Sequence, residues 1–190
     1  LLKGDFNKSK LFSNNPSLQA KSWEEKGANS IHIVDLDAAK SGKISNDKSI
    51  LEIRKSTNIP IQLGGGIRSE ERINQLFSYG IDKVIMGTSA IENRKLVEEI
   101  TSKFPGRIII GIDSKNGKVS TRGWLKQSEI YALDLIKDLS SLKISSFIVT
   151  DIDTDGTLNG PNEDFIRDVL KNTSLPVIAS GGVGSLSDLI

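Results

Sequence analysis

The chain has 190 residues, with 25 Lys and Arg against 24 Asp and Glu, no Cys and one His. That length fits one domain hiding roughly 70% of its unfolded surface. The composition excludes disulfides and Cys-based metal sites, and a lone His32 argues against an all-protein zinc site. No basic block suggests nucleic acid, and no apolar run approaches the ~20 residues of a membrane span.

In chain order, the first residues do not read as a signal peptide, because Lys3, Asp5, Lys8 and Lys10 interrupt any apolar stretch. The expectation is a cytoplasmic protein. A helix is predicted over 16–26, with Gly27 as its terminating glycine. Strands are predicted at 31–36 (IHIVDL), 60–63 (PIQL), 83–86 (KVIM), 107–112 (RIIIGI), 146–152 (SFIVTDI) and 176–179 (PVIA). These runs are continuously apolar, which suits strands covered on both faces. Helical spacing fills the intervals. Ile73, Leu76 and Phe77 form one face behind a Ser69 cap with Glu70 and Glu71; Leu133, Ile136 and Leu139 form a second; Phe165, Ile166 and Val169 form a third. Strict alternation predicts a parallel sheet with helices outside it, as an open doubly wound sheet or a closed (β/α)8 barrel.

An internal repeat favours the barrel. At an offset of 116 residues, 59–69 (IPIQLGGGIRS) lies over 175–185 (LPVIASGGVGS), Asp35-Leu36-Asp37 over Asp151-Ile152-Asp153, and Asn46 over Asn162. Two half-barrels would produce that register, whereas an open sheet has no reason for it. The strand near Lys83 then expects a partner beyond Ile190, and the strand ending at Asp113 expects one before Leu1. The reading is a single partial (β/α)8 TIM barrel over 1–190 with a two-fold half-barrel repeat. Strands two to seven are present, and strands one and eight are missing. The 190 residues alone are expected to be unstable or inactive, since the gap would expose sheet edges.

Candidate chemistry gathers at strand ends. Gly64-Gly65-Gly66-Ile67-Arg68-Ser69 ends a strand and opens a helix, where backbone N–H groups and the helix dipole favour an anion, and Arg68 adds charge. Gly87 and Thr88 follow the next strand in the same manner, and Gly181-Gly182 repeats the first motif. These glycines read either as phosphate cups or simply as tight turns. Two cups would imply a small-molecule substrate with a phosphate at each end. Asp113 ends an apolar strand and is a candidate general acid or base, or alternatively a turn cap. Asp151, Asp153 and Asp155 alternate, but the pattern lacks the distant Glu and flanking helices of a calcium loop, so no metal is expected. Asp155-Gly156 reads as a turn that aims polar groups at the site. Asp35 and Asp37 read as structural turn formers, and His32 as a satisfied core residue. Trp124 lies in a long connection, either stacking on a flat ring or packing as a lid.

Together these residues resemble the histidine-biosynthesis half-barrel enzymes. The likeness is carried by Gly4-Asp5-Phe6, 32–40, 64–69, 84–90, Gly111-Ile112-Asp113, 121–124, 150–162 and 179–183. Met86-Gly87-Thr88, Arg122-Gly123-Trp124 and 158–162 (LNGPN) favour the isomerase branch, which acts on phosphoribosylformimino-5-aminoimidazole carboxamide ribotide. The resemblance implies an Amadori rearrangement of an aminoaldose to an aminoketose without a cofactor. It implies Asp113 as proton donor, with the proton acceptor on a strand upstream of Leu1. It assigns Gly66, Gly87 and Thr88 to one phosphate site, Gly156 and Gly182 to the other, Thr150 and Asp155 to polar positions in the mouth, and Trp124 to the covering loop. A complete chain is expected to be a monomer. Three alternatives stay open: the cyclase subunit of imidazole glycerol phosphate synthase, an isomerase serving both histidine and tryptophan synthesis, and a non-catalytic phosphate-binding scaffold.

Overall fold

The computed structural model describes residues 2, 3, 5 and 8–190; Gly4 and Phe6 of the Gly4-Asp5-Phe6 segment lie outside the described residues. Contacts divide the chain into two compact units, Leu11–Ile100 and Thr101–Ile190 with Leu1–Lys10.

The first unit runs α1 (Pro16–Glu25), β1 (Ile31–Val34), α2 (Leu36–Ser41), α3 (Asp47–Ser56), β2 (Ile61–Gly64), α4 (Glu70–Ser78), β3 (Lys83–Met86), α5 (Thr88–Glu92) and α6 (Arg94–Lys103), within which the division falls. β1, β2 and β3 pair in parallel, with Val34 opposite Gly64 and Gly64 opposite Ile85. This register brings the C-terminal ends of the three strands to one edge, where the glycine turns emerge. Leu63, Val84 and Met86 are fully buried, as are Ile73 and Leu76 of α4. That explains why the strands read as unbroken apolar runs, each such side chain contributing roughly 1.5–3 kcal/mol on burial. Local chemistry sets the helix starts. Asn15 accepts the Leu18 N–H, with Pro16 following it, and Ser69 accepts the Arg72 N–H. Arg72 is buried and donates to both carboxylate oxygens of Asp47 at 3.0 and 2.6 Å, locking α4 to α3.

The second unit runs β4 (Ile108–Lys115), β5 (Lys118–Thr121), β6 (Lys126–Tyr131), α7 (Ala132–Leu139), β7 (Ser146–Asp151), α8 (Glu163–Asn172), β8 (Val177–Ser180) and a closing 3-10 turn at Leu186–Leu189. β4, β7 and β8 are parallel, with Asp113 opposite Thr150 and Thr150 opposite Ser180. Side chains paired in this way share a face, so one row of polar groups crosses the strand ends. Ile108, Ile109, Ile110, Phe147, Ile136 and Val169 form the core beneath.

All six strands read from the sequence are present and parallel with their partners within each unit. The repeat extends to element bounds. α3 and α8, and β2 and β8, coincide at the 116-residue offset, as do the positions just before the helices, Asn46 with Asn162 and Ser69 with Ser185. Two readings change. The connection after Asp113 is not a plain loop. β5 and β6 form an antiparallel hairpin that extends β4 to Lys115. Asn116 and Gly117, at φ 51° and 77°, make the two-residue turn whose twist suits a hairpin. His32 is not a core residue either: it is exposed on β1, its ring Nδ1 3.0 Å from the Gln62 amide nitrogen.

Candidate active site

In the second unit, Asp113 stands at the β4 end of the polar row, beside Thr150. Its strand is apolar up to that point, so the backbone delivers one carboxyl to the C-terminal edge of β4. The carboxyl lies deep among protein atoms while the residue stays partly open to solvent at the strand end. Burial pushes its pKa up, because the charged form loses hydration, and the nearby charge of Asp155 pushes the same way. The Trp124 indole N–H and the Thr150 hydroxyl donate to the carboxyl and partly oppose that rise. Thr150 is placed by register with Asp113 across β7. Trp124 arrives from the tip of the β5–β6 hairpin, where Arg122, Gly123 and Trp124 are left-handed in succession at φ 57°, 64° and 71°. For the two non-glycine residues that backbone costs roughly 1–2 kcal/mol each, and the bond to Asp113 helps to offset it. Beside the two readings open for Trp124, stacking or lid, stands a third contact: its hydrogen bond to the Asp113 carboxyl.

Asp155 reaches the cluster through the β7–α8 turn. Its N–H donates to the Asp151 carbonyl at 3.1 Å, and burial raises its pKa. Gly181 follows β8, and a side chain there would meet Asp155 Cα and Cβ at 3.3 and 3.4 Å. Gly182 is tighter still, since a Cβ would lie 2.2 Å from the Gly160 carbonyl oxygen, whose own N–H donates to Gly182 O at 2.9 Å. Gly156 lies exposed in the same turn at φ 72°. Asp113, Thr150, Asp155, Trp124, Gly156, Gly181 and Gly182 therefore belong to one contiguous set around the β7–α8 loop. The Asp151 carboxylate is engaged by two N–H donors, the Asp153 N–H and the Asn162 carboxamide.

The first unit carries the other set. Gly65 and Gly66, at φ 103° and 68°, turn the chain after β2 directly against the backbone of 35–38. A Cβ on Gly65 would lie 2.2 Å from Asp35 O, and one on Gly66 2.6 Å from Ala38 Cβ. The turn thus requires glycine for packing, whatever else it binds. Gly87 caps α5 and Thr88 opens it. The Ser89 hydroxyl donates to Ile67 O at 2.7 Å, tying the two strand-end turns together. Arg68 is exposed, and its guanidinium lies over Gly42, the left-handed C-cap of α2. A cation is favourable at that end of a helix. Arg68 therefore has a structural location of its own beside the turn it was read to serve.

Sequence reasoning missed Ser89 and the double use of Asn162. The second was detectable, since Asn46 and Asn162 recur at the repeat offset.

Comparison with known proteins agrees with this architecture. The description of the histidine biosynthesis protein family matches residues 1–190. Three relatives from Prochlorococcus marinus, strains MIT 9301, MIT 9312 and MIT 9211, are 70%, 69% and 54% identical over 190 residues. Each is named a 1-(5-phosphoribosyl)-5-((5-phosphoribosylamino)methylideneamino)imidazole-4-carboxamide isomerase, and the match covers all of this chain and 74% of the relative. The alternating α/β order and parallel strands are those of the TIM barrel that characterises this family. The chain belongs to the histidine biosynthesis protein family.

Proposed function

We infer that this chain carries the isomerase activity for which its relatives are named: the aldose–ketose rearrangement of the bis-phosphoribosyl imidazole carboxamide in histidine biosynthesis. The observation that carries the reading is the identity of 70% over the whole chain to an isomerase of that name. The chemistry of the Asp113 cluster supports it. An Amadori rearrangement first opens the ribose ring by protonating its ring oxygen, then moves a proton from C2 to C1 through an enolamine. That needs a carboxyl that holds its proton near neutral pH, and burial raises Asp113 in that direction. Asp113 is the proton donor in this reading. Thr150 and Trp124 orient its carboxyl, and burial, with a smaller contribution from the Asp155 charge, favours its protonated form.

Each unit carries a glycine-lined strand-end set, Gly65, Gly66, Gly87 and Thr88 in one and Gly156, Gly181 and Gly182 in the other, and each set suits a phosphate group. A bound phosphate contributes to catalysis by positioning the reacting carbons. Arg68 contributes positive charge near the first set. The reaction needs no cofactor. Among the described residues no helix is long and apolar enough to cross a membrane. The proposed setting is a cytoplasmic monomer with a small-molecule substrate and no nucleic-acid partner.

The test is turnover of the full-length protein with the aminoaldose substrate, with its ketose product and ammonia, and with phosphoribosylanthranilate, in separate assays. Rearrangement of the first alone supports the reading. Consumption of the ketose with ammonia would assign the cyclase, and turnover of the third would add the tryptophan-pathway activity. Binding without turnover of any would assign the scaffold.

A further inference from the structure

We propose that Asn162 is a positioning residue for the Asp113 cluster, closing the β7–α8 loop by joining its two ends. The inference rests on the reading of that cluster as the acid–base site.

The carboxamide works in two directions. Its oxygen accepts the Phe165 N–H at 3.1 Å and caps α8, while its nitrogen donates to Asp151 Oδ2 at the end of β7. Eleven positions separate the bridged residues. Between them lie Asp155 and Gly156, and Gly160, whose N–H pairs with Gly182 O. Asp151 is also the hub of the turn: its carbonyl accepts from the Thr154 and Asp155 N–H groups, and its Oδ1 from the Asp153 N–H. Holding Asp151 therefore holds Asp155 against Gly181 and beside Asp113.

A simple helix cap would explain the first bond but not the second. The repeat separates the two. In the first unit Asn46 stands at the equivalent position and donates to Asp35 Oδ1 at 2.8 Å, again across eleven positions. Yet Asn46 makes no side-chain cap to α3, and its second bond goes to Asp37 at 3.0 Å. What the two halves share is the Asp–Asn bridge across the βα loop, not the cap. In the first unit the bridged Asp35 is the backbone against which Gly65 packs. In both halves, then, the bridge holds a strand-end Asp whose backbone supports the glycine turn of the next strand.

The groups facing Asp113 define the readout. They are Asp155 from the β7–α8 turn, the uncharged donors Trp124 from the hairpin and Thr150 from β7, and, two residues along β4, Lys115 paired to Asp153 at 3.9 Å. Of these, the charge of Asp155 raises Asp113, and its place depends on the turn that the bridge closes together with the Lys3 N–H, which donates to the Asp155 carbonyl at 3.0 Å.

The experiment compares the full-length protein with Asn162→Ser and Asp151→Ser. Serine at 162 keeps an oxygen for the Phe165 N–H but is too short to reach Asp151; Asp151→Ser cuts the bridge from the other end with the cap intact. The expected result for each is a thermal midpoint near that of the parent and a fall in kcat of about ten- to a hundredfold, the scale of a 1 Å misplacement. The alkaline limb of the kcat–pH profile is expected to move to lower pH as Asp155 leaves Asp113. The double variant should be no worse than either single one. Unchanged kcat and limb in either variant overturns the proposal, as does a loss that only tracks the folded fraction with the limb in place. Asp113→Asn tests the underlying reading separately: if it turns over normally, the acid–base assignment fails whatever the Asn162 variants do.

Discussion

Replacing Asp113 by Asn tests the acid assignment with little collateral change. The two side chains have the same shape, and the Asn oxygen can still accept from the Trp124 indole and the Thr150 hydroxyl. The substitution also removes a carboxyl that burial and Asp155 both oppose in its charged form, so folding loses nothing electrostatic. What disappears is the transferable proton. A positioned general acid contributes about 10²–10⁴ in rate, or about 3–5 kcal/mol of barrier. The expected outcome is a kcat reduced by that factor, a KM within about threefold of the parent, and a thermal midpoint equal to or above it. Steady-state turnover and a melting curve on the same preparation measure all three. Turnover within tenfold of the parent would refute the donor role. A melting point lowered by more than about 5 °C, which is more than 1 kcal/mol, would mark Asp113 as a structural cap instead.

Trp124→Phe deletes a hydrogen bond that stabilises the Asp113 carboxylate, so the carboxyl should hold its proton to higher pH and the alkaline limb of kcat should shift upward; a downward shift contradicts the contact. Gly66→Ala combines a left-handed backbone with a Cβ 2.6 Å from Ala38 Cβ, and should destabilise by about 2–4 kcal/mol. Gly106→Ala, equally left-handed at φ 74° but in open space, should cost only about 1–2 kcal/mol, and denaturant titration of the pair separates packing from backbone strain. Arg72→Ala strands Asp47 and should lower stability by about 2–3 kcal/mol at neutral pH. Arg72, through its hydrogen bonds, holds the Asp47 carboxyl below its ordinary value of 3.8, so its contribution is complete above that pH and is lost as pH falls below it. In acid titrations the variant's stability should therefore converge on the parent's, and a gap that persists at low pH would sink that account.

Much of the fold was legible because its signals are local or periodic. Unbroken apolar runs identify strands buried on both faces, and 31–36, 60–63 and 146–152 all became parallel strands. The 116-residue register could be read without coordinates, and it returned as matching bounds for α3 with α8 and β2 with β8. The hairpin was the main omission. Asn116-Gly117 announced the turn from β4 into β5 that leads to it, but β5 and β6 are short and polar, and polar strands carry little apolar periodicity. His32 misled because a polar residue within an apolar run reads as buried, whereas on β1 its face is open.

The site divides along the same line. Residue types and their positions at strand ends were enough to single out Asp113, Thr150, Asp155 and the glycine pairs, since strand and turn geometry are set by nearby sequence. Which partner each group meets was settled only by tertiary structure. Trp124 meets Asp113 and Ser89 meets Ile67 across sequence separations that no local pattern spans, and only the repeat offset pointed to the pairing of Asn162 with Asp151. The burial that raises Asp113 likewise comes from side chains supplied by other elements, so the place of this carboxyl at a strand end was written in the chain while its proton affinity was decided by the fold.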